Sequence, residues 1–235
     1  MYIVEGNIGA GKSTFIQLVA EHLSYTSVAL ESSHSWKRQD HAQSLLAHFY
    51  QKPDRWAYTL ETLTMTCRVK QHIHEQNNNR PFRLVERSIY SGYHVFAYNS
   101  YQSGYMNDVE WKVYKDWFNF LITGRCTQPL GFIYLKVNPE IAFERIKKRD
   151  HLEEKKLTIE YLQQLDKYHE MFLRKQHNVL DDIKDVPVLT LDCNQDFENN
   201  PEVFAKHLDR LKAFFTNTQR FTPAMQEKSD TTRVR

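Results

Sequence analysis

Gly6, Gly9 and Gly11, followed at once by Lys12 and Ser13, stand in the opening stretch YIVEGNIGAGKSTFIQLVAEHL. The spacing of a glycine, four residues and then Gly-Lys-Ser is that of a phosphate-binding loop, or P-loop. Glycines admit positive φ and close approach, so the backbone N–H groups from Gly6 through Asn7, Ile8, Gly9, Ala10 and Gly11 can turn toward one anion. A helix running on through Ser13 and Thr14 adds free N–H groups and the positive end of its dipole. Lys12 then puts a mobile charge on β- and γ-phosphates, and the Ser13 hydroxyl is a ligand for Mg2+. A plain glycine turn would have no use for the Lys-Ser pair, so the stretch implies a site for a nucleoside triphosphate such as ATP.

Three other charged places bear on such a ligand. Glu31 closes an apolar run and reads either as a solvated loop glutamate or as a carboxylate that accepts the proton of an attacking hydroxyl. Glu86, Arg87 and Ser88 close another: Glu86 can organise Mg2+ through water, and Arg87 can neutralise charge on a transferred phosphoryl group or hold the acceptor hydroxyl. The bland alternative for that cluster is a surface ion pair. In ERIKKRDHLEEKK, residues 144–156, Arg145 and Arg149 are four apart and share a helix face from which both can reach over a triphosphate. Salt bridges to Glu144, Glu153 and Glu154 are the other use for those charges, but with a P-loop in the same chain a basic lid over about 145–156 is the favoured reading.

These residues need a frame. Short β-branched or aromatic runs at 2–5, 27–31, 83–85, 131–137 and 187–191 predict strands, and periodic segments at 14–22, 42–50, 54–76, 109–123, 139–148, 158–175 and 201–215 predict helices. The alternation predicts an α/β fold of the P-loop NTPase type, a five-stranded parallel sheet with helices on both faces in three layers and a helical lid. Ligands of such sheets sit beyond the carboxyl ends of the strands, where the glycine loop, Glu31 and Glu86-Arg87-Ser88 would converge. Residues 1–216 are read as a single domain and the polar, aperiodic 217–235 as a flexible tail.

Composition narrows the partners. With 235 residues, 41% hydrophobic and 26% charged, the chain can bury one sizeable core. A net charge of +2, with the positive residues scattered, argues against nucleic acid or an anionic membrane as the main partner. No apolar run reaches transmembrane length, and a strand beginning at residue 2 leaves no room for a leader, so a cytoplasmic chain is expected. Cys67, Cys126 and Cys193 lie far apart, with neither a disulfide framework nor a zinc spacing, and the 11 histidines show no ligand pattern. Trp56, Trp111 and Trp117 sit at helical spacings typical of core or interface.

Taken together, GNIGAGKST, ALESSHSW, FYQKPDRWAYTLET, CRVK, VERSIYSGYHVFA, ERIKKRDHLEEKKLTIEYLQQLDKYHEMFL and LTLDCNQDFENN resemble the deoxynucleoside kinase family, in order, from residue 2 to about 215. The resemblance implies a homodimeric, Mg2+-dependent enzyme of nucleotide salvage that moves the γ-phosphate of ATP to the 5′-hydroxyl of a deoxynucleoside. It implies that Glu31 is the base, that Arg87 lies beside the 5′-hydroxyl, and that Trp36 lines the nucleoside pocket, with Ser32 where the family's E-P-x-x-x-W pattern has proline. By the same resemblance Leu46, Phe49 and Tyr50 line that pocket, Tyr50 and Glu154 hold the sugar 3′-hydroxyl, and Phe96 stacks on the base. Arg145 and Arg149 correspond to lid arginines, His151 to a third basic position, and Asp196 and Phe197 to a loop near the donor adenine.

Two other classes share parts of this pattern. A nucleoside monophosphate kinase, such as a thymidylate kinase, has the loop, lid and sheet but needs positive groups for the acceptor's phosphate where this chain carries Glu31. A non-catalytic nucleotide-binding module has no need of the full set Lys12, Ser13, Glu31, Arg87 and lid arginines.

Glu61 departs from the resemblance, since family members usually have glutamine there. An amide offers one donor and one acceptor, whereas an ionised carboxylate only accepts and suits guanine's N1–H and 2-amino group or, less well, thymine's N3–H. Charge-assisted hydrogen bonds contribute about 1.5 to 3 kcal/mol, roughly ten- to a hundredfold in preference, so guanine and thymine are expected over cytosine. Arg68, seven residues on, is expected to take Glu61 as its partner, and Gly92, where cytidine-preferring relatives have aspartate, to leave room for a methyl group or larger ring.

Overall fold

The computed structural model describes residues 1–31, 44–78, 82–177 and 179–220; Ser32, Trp36 and residues 221–235 of the expected tail lie outside them. Five strands form one sheet in the order β2 (Thr26–Ala29), β3 (Phe82–Glu86), β1 (Tyr2–Glu5), β4 (Gly131–Lys136), β5 (Val188–Asp192), every pair parallel. β1 is central and buried along its length, as an apolar strand with a helix layer on each face must be. Its side chains alternate between two cores: Ile3 joins Phe132 and Tyr134 of β4 on one face, while Tyr2 and Val4 join Ile133 and Leu135 on the other.

The first face is covered by α3 (Pro53–Gln76), α6 (Asp108–Ile122) and α8 (Ile159–His169), the second by α1 (Lys12–His22), α7 (Pro139–Arg149) and α10 (Pro201–Arg220). Proline opens α3, α7 and α10, where its missing N–H costs nothing. Asn107 and Glu110 close a reciprocal capping box on α6. Short helices α2 (Leu45–Gln51), α4 (Ile89–Ser91), α5 (Tyr98–Gln102) and α9 (Asp181–Lys184) fill the connections. Among the described residues no helix is long and apolar enough to cross a membrane.

The predicted strands and helices are all present, with shifted edges. β2 ends at Ala29, so Glu31 lies two residues beyond it. α10 runs to Arg220, past the domain boundary expected at 216, and the Tyr2 hydroxyl hydrogen bonds Thr218 at 2.7 Å, tying that last turn to the central strand. Residues 89–102, which carry no predicted element, are helical throughout: α4, a π-helical segment Gly92–Ala97, and α5. A second π-helical segment, Glu170–Arg174, continues α8. The expected lid is the end of α7 and a short 3-10 turn, Leu152–Lys156, joined through Asp150 in the left-handed region. Trp111 is buried, while Trp117, Val109 and Phe120 of α6 are 49%, 72% and 55% exposed.

Candidate active site

The loop after β1 is shaped by what surrounds it. Gly9 and Gly11 have φ of 80° and 84°, and a Cβ there would lie 2.5 Å from the Ala142 carbonyl oxygen and 2.9 Å from Phe197, so only glycine serves. Asn7 donates to the Leu162 carbonyl at 2.9 Å and anchors the loop to α8. The Lys12 ammonium lies inside the loop, donating to Gly6 O at 3.1 Å and Asn7 O at 2.7 Å. Burial and the nearby Arg87 push its pKa down to about 7 against the pull of Glu86, Glu31 and Glu5. A phosphate in the loop would favour the charged form.

Ser13, in the first turn of α1, donates to both oxygens of Glu86, each at 3.0 Å. A hydroxyl beside a carboxylate is a hard-oxygen pair that suits Mg2+. No group of three His, Cys, Asp or Glu among the described residues is arranged to hold a metal, so such an ion would draw its other ligands from phosphate and water.

Glu31 is the centre of a second cluster. Arg68 of α3 reaches its Oε1 with Nε at 3.2 Å and Nη2 at 2.8 Å, and Arg87 reaches its Oε2 with Nε at 3.1 Å. Both guanidinium groups lie over the Phe96 ring, at 5.3 Å and 4.6 Å from its centroid. Burial works to raise the Glu31 carboxyl, but the two arginines outweigh it and hold it below the usual carboxylate range. Arg87 has φ of 64°, unusual for a residue with a Cβ, while its N–H still donates to Val4 O at 3.0 Å. Strain of this kind persists where surrounding contacts over-determine it. Behind it the fully buried Glu5 accepts from Ser88 Oγ at 2.6 Å.

These groups share one cavity of about 530 Å³. The loop residues Ile8, Gly9, Gly11, Lys12, Ser13 and Thr14 line it, as do Glu31, Glu86, Arg87 and Arg68. Its apolar side is Leu46, Phe49, Tyr50 and Phe96; Glu61, Arg149 and Glu154 also line it, whereas Gly92, Arg145, Asp196 and Phe197 of the expected set do not. Gly6, Asn7 and Ala10 are buried in the support of the loop and do not line the cavity.

Four expectations meet a different geometry. Arg68 spends its hydrogen bonds on Glu31, not Glu61, because the chain leaving β2 brings Glu31 across the face of α3. Glu61 instead accepts from Ser100 Oγ at 3.4 Å, and burial pushes its pKa up to about 7 against Arg68, so near neutral pH it is not simply an ionised acceptor. The room at Gly92 is taken: a Cβ there would stand 2.9 Å from Arg68 Nη1. Arg145 and Arg149 do not reach over the loop together, since Arg145 donates to the carbonyls of Cys193, Asn194 and Gln195 at 2.9, 3.3 and 3.3 Å, while Arg149 pairs with Glu154 at 2.7 and 2.5 Å. Asp196 accepts from Asn199 and from the Glu198 N–H within its own loop, and Phe197 packs on Phe15 beside Gly11.

Residues 2–216 match the deoxynucleoside kinase family. The chain belongs to that family. It is 34% identical over 239 residues to deoxycytidine kinase 2 of Gallus gallus, a match covering 91% of this chain and 89% of that protein. It is 34% identical over 232 residues to the mitochondrial deoxyguanosine kinase of Xenopus laevis (90% and 88% covered) and 33% over 236 residues to deoxycytidine kinase of Homo sapiens (91% and 90%). As a deoxynucleoside kinase the chain is a phosphotransferase.

Four lining residues of the kinase, Leu30, Leu60, Thr64 and Tyr161, escape the sequence reading. Leu60 and Thr64 stand one before and three after Glu61, so the helical face through Glu61 and Arg68 carries the signal for them. Tyr161 sits 6.2 Å from Tyr50, ring to ring, a meeting of α8 and α2 that no local pattern announces.

Proposed function

We propose that this kinase transfers the γ-phosphate of ATP to the 5′-hydroxyl of a deoxynucleoside in a single in-line step. The observation that carries the reading is Glu31, a carboxylate held ionised by two arginines in the same cavity as a P-loop. The two arginines there are committed to Glu31, whose carboxylate is a hydrogen-bond acceptor suited to a hydroxyl. Transfer through a loose transition state asks little basicity of the base, so a carboxylate with a lowered pKa suffices to orient the hydroxyl and take its proton.

In this reading the loop N–H groups and Lys12 bind the donor phosphates, and Arg87 and Arg149 offset charge on the moving phosphoryl group. Ser13 and, through water, Glu86 would hold Mg2+, which would supply further charge neutralisation on the donor. Phe96, Leu46, Phe49 and Tyr50 pack on the nucleoside, with Tyr50 and Glu154 at its sugar. Asp196 and Phe197 lie at the donor base, and Arg145 holds their loop. With Glu61 ionised, guanine and thymine are favoured over cytosine. A homodimer would cover Val109, Trp117 and Phe120 on α6.

The test is ADP release and product analysis with Mg-ATP and each of the four deoxynucleosides or thymidine monophosphate. Turnover with nucleosides is expected. Turnover with the monophosphate alone would make the protein a thymidylate-type kinase, and silence with every acceptor would leave a nucleotide-binding module.

A further inference from the structure

We propose that Glu61 reads the nucleobase in two settings, as a carboxylic acid offering one donor and one acceptor and as a carboxylate offering two acceptors, so that the ranking of bases changes with pH. The proposal rests on the nucleoside kinase reading of the same cavity and specifies how its acceptor side discriminates.

The geometry leaves this carboxyl uncommitted. Glu61 is 3% exposed and lines the cavity with Phe96, yet no ion pair to it is formed among the described residues. The nearest cation on its own helix, Arg68, is turned to Glu31 with Nε and Nη2. The remaining contact is the long hydrogen bond from Ser100 of α5, at 3.4 Å. A buried carboxyl without a paired cation favours its neutral form.

The other charged and titratable groups around it are accounted for. Arg87, after β3, acts on Glu61 from a distance and is bound to Glu31. Tyr50 of α2, Tyr114 of α6 and Tyr161 of α8 face it and are themselves pushed above the usual tyrosine range by burial, so they stay neutral. Glu154, on the lid side of the cavity, is paired with Arg149. The balance of burial against Arg68, Ser100 and Arg87 leaves Glu61 near neutrality, at about 7.

The two forms match different base edges. The acid can donate to the ring nitrogen of cytosine or adenine while accepting from the exocyclic amino group, as an amide does. The carboxylate can accept both N1–H and the 2-amino group of guanine. Across the interval in which Glu61 titrates, the bases themselves keep one protonation state.

The experiment measures kcat/KM for deoxyguanosine and deoxycytidine from about pH 6 to pH 8 in the native enzyme and in Glu61→Gln. Taking the ratio of the two substrates cancels the titration of Lys12 and Glu31, which acts on both alike. The deoxyguanosine-to-deoxycytidine ratio is expected to rise roughly tenfold or more with pH in the native enzyme and to stay flat in Glu61→Gln. A ratio that is flat in the native enzyme, or that rises equally in both, overturns the proposal. Absence of phosphorylation of any nucleoside overturns the kinase reading instead, and this proposal with it.

Thermal unfolding gives a second readout independent of activity. A carboxyl whose folded pKa is raised contributes stability below its unfolded value near 4.5 and loses it as pH rises through about 7. The native protein should therefore lose ground to Glu61→Gln over that interval, and an unchanging difference would also overturn the proposal.

Discussion

Arg68 and Arg87 reach Glu31 from a long helix and from a strand end, are each 7% exposed, and lie over one Phe96 ring. Arg145 and Arg149 stand on one face of α7, and their partners are three loop carbonyls and Glu154, with the Arg149 side chain 42% exposed. The first pair is cross-tied by buried ionic hydrogen bonds that cannot be released cheaply. In the lid pair Arg149 is half-exposed but Glu154 is only 6% exposed, so the arginine can turn away only by leaving a buried carboxylate unpaired. Glu31 is thus held from two elements, while the lid carboxylate depends on one half-exposed arginine.

Breaking the buried side should cost most. Glu31→Gln keeps the shape but removes the charge, and kcat is expected to fall roughly a hundred- to ten-thousandfold while donor binding barely changes. An unchanged kcat would remove Glu31 from the base role. On the lid, Arg149→Ala is expected to lower kcat about tenfold to a hundredfold through loss of the proposed phosphate contact, with a smaller change in nucleoside KM as Glu154 loses its partner. A nucleoside KM rising with kcat intact would instead make Arg149 a support for Glu154. The smallest effect is expected at Arg145→Ala: a several-fold rise in the KM for ATP with kcat nearly unchanged, because the side chain holds residues 193–195 and not the transferring group. Equal losses in kcat from Arg145→Ala and Arg149→Ala would erase the distinction between them.

The two sides were also unequally legible. The donor loop could be read from sequence because its residues are contiguous and each obeys a local rule of spacing, conformation or charge. The rule that ligands meet the carboxyl ends of parallel strands made Glu31 and Arg87 candidates, and the family resemblance, not the rule, gave them their roles. The pairing of Arg68 with Glu31 was out of reach: 37 positions separate them, and two chemically equal carboxylates competed for one guanidinium. Only the crossing of α3 against the chain after β2 decides between them. The helical run through residues 89–102 was missed for a related reason, since its π-helical segment departs from the 3.6-residue period and its serines and glycine are held by tertiary packing. The state of Glu61 is a matter of burial, which residue identity does not report.

Gly92 links the residues of this corner to one another. A side chain at that position would enter the space of Arg68 Nη1, and Arg68 is at once a wall of the cavity and a tether of Glu31, the carboxylate proposed as the base. Substitutions at 92, 68, 61 and 31 therefore cannot be scored one at a time, because each alters the setting in which the others act. A change of base preference engineered through this corner is expected to move turnover as well as selectivity, and paired substitutions measure how far the two are coupled.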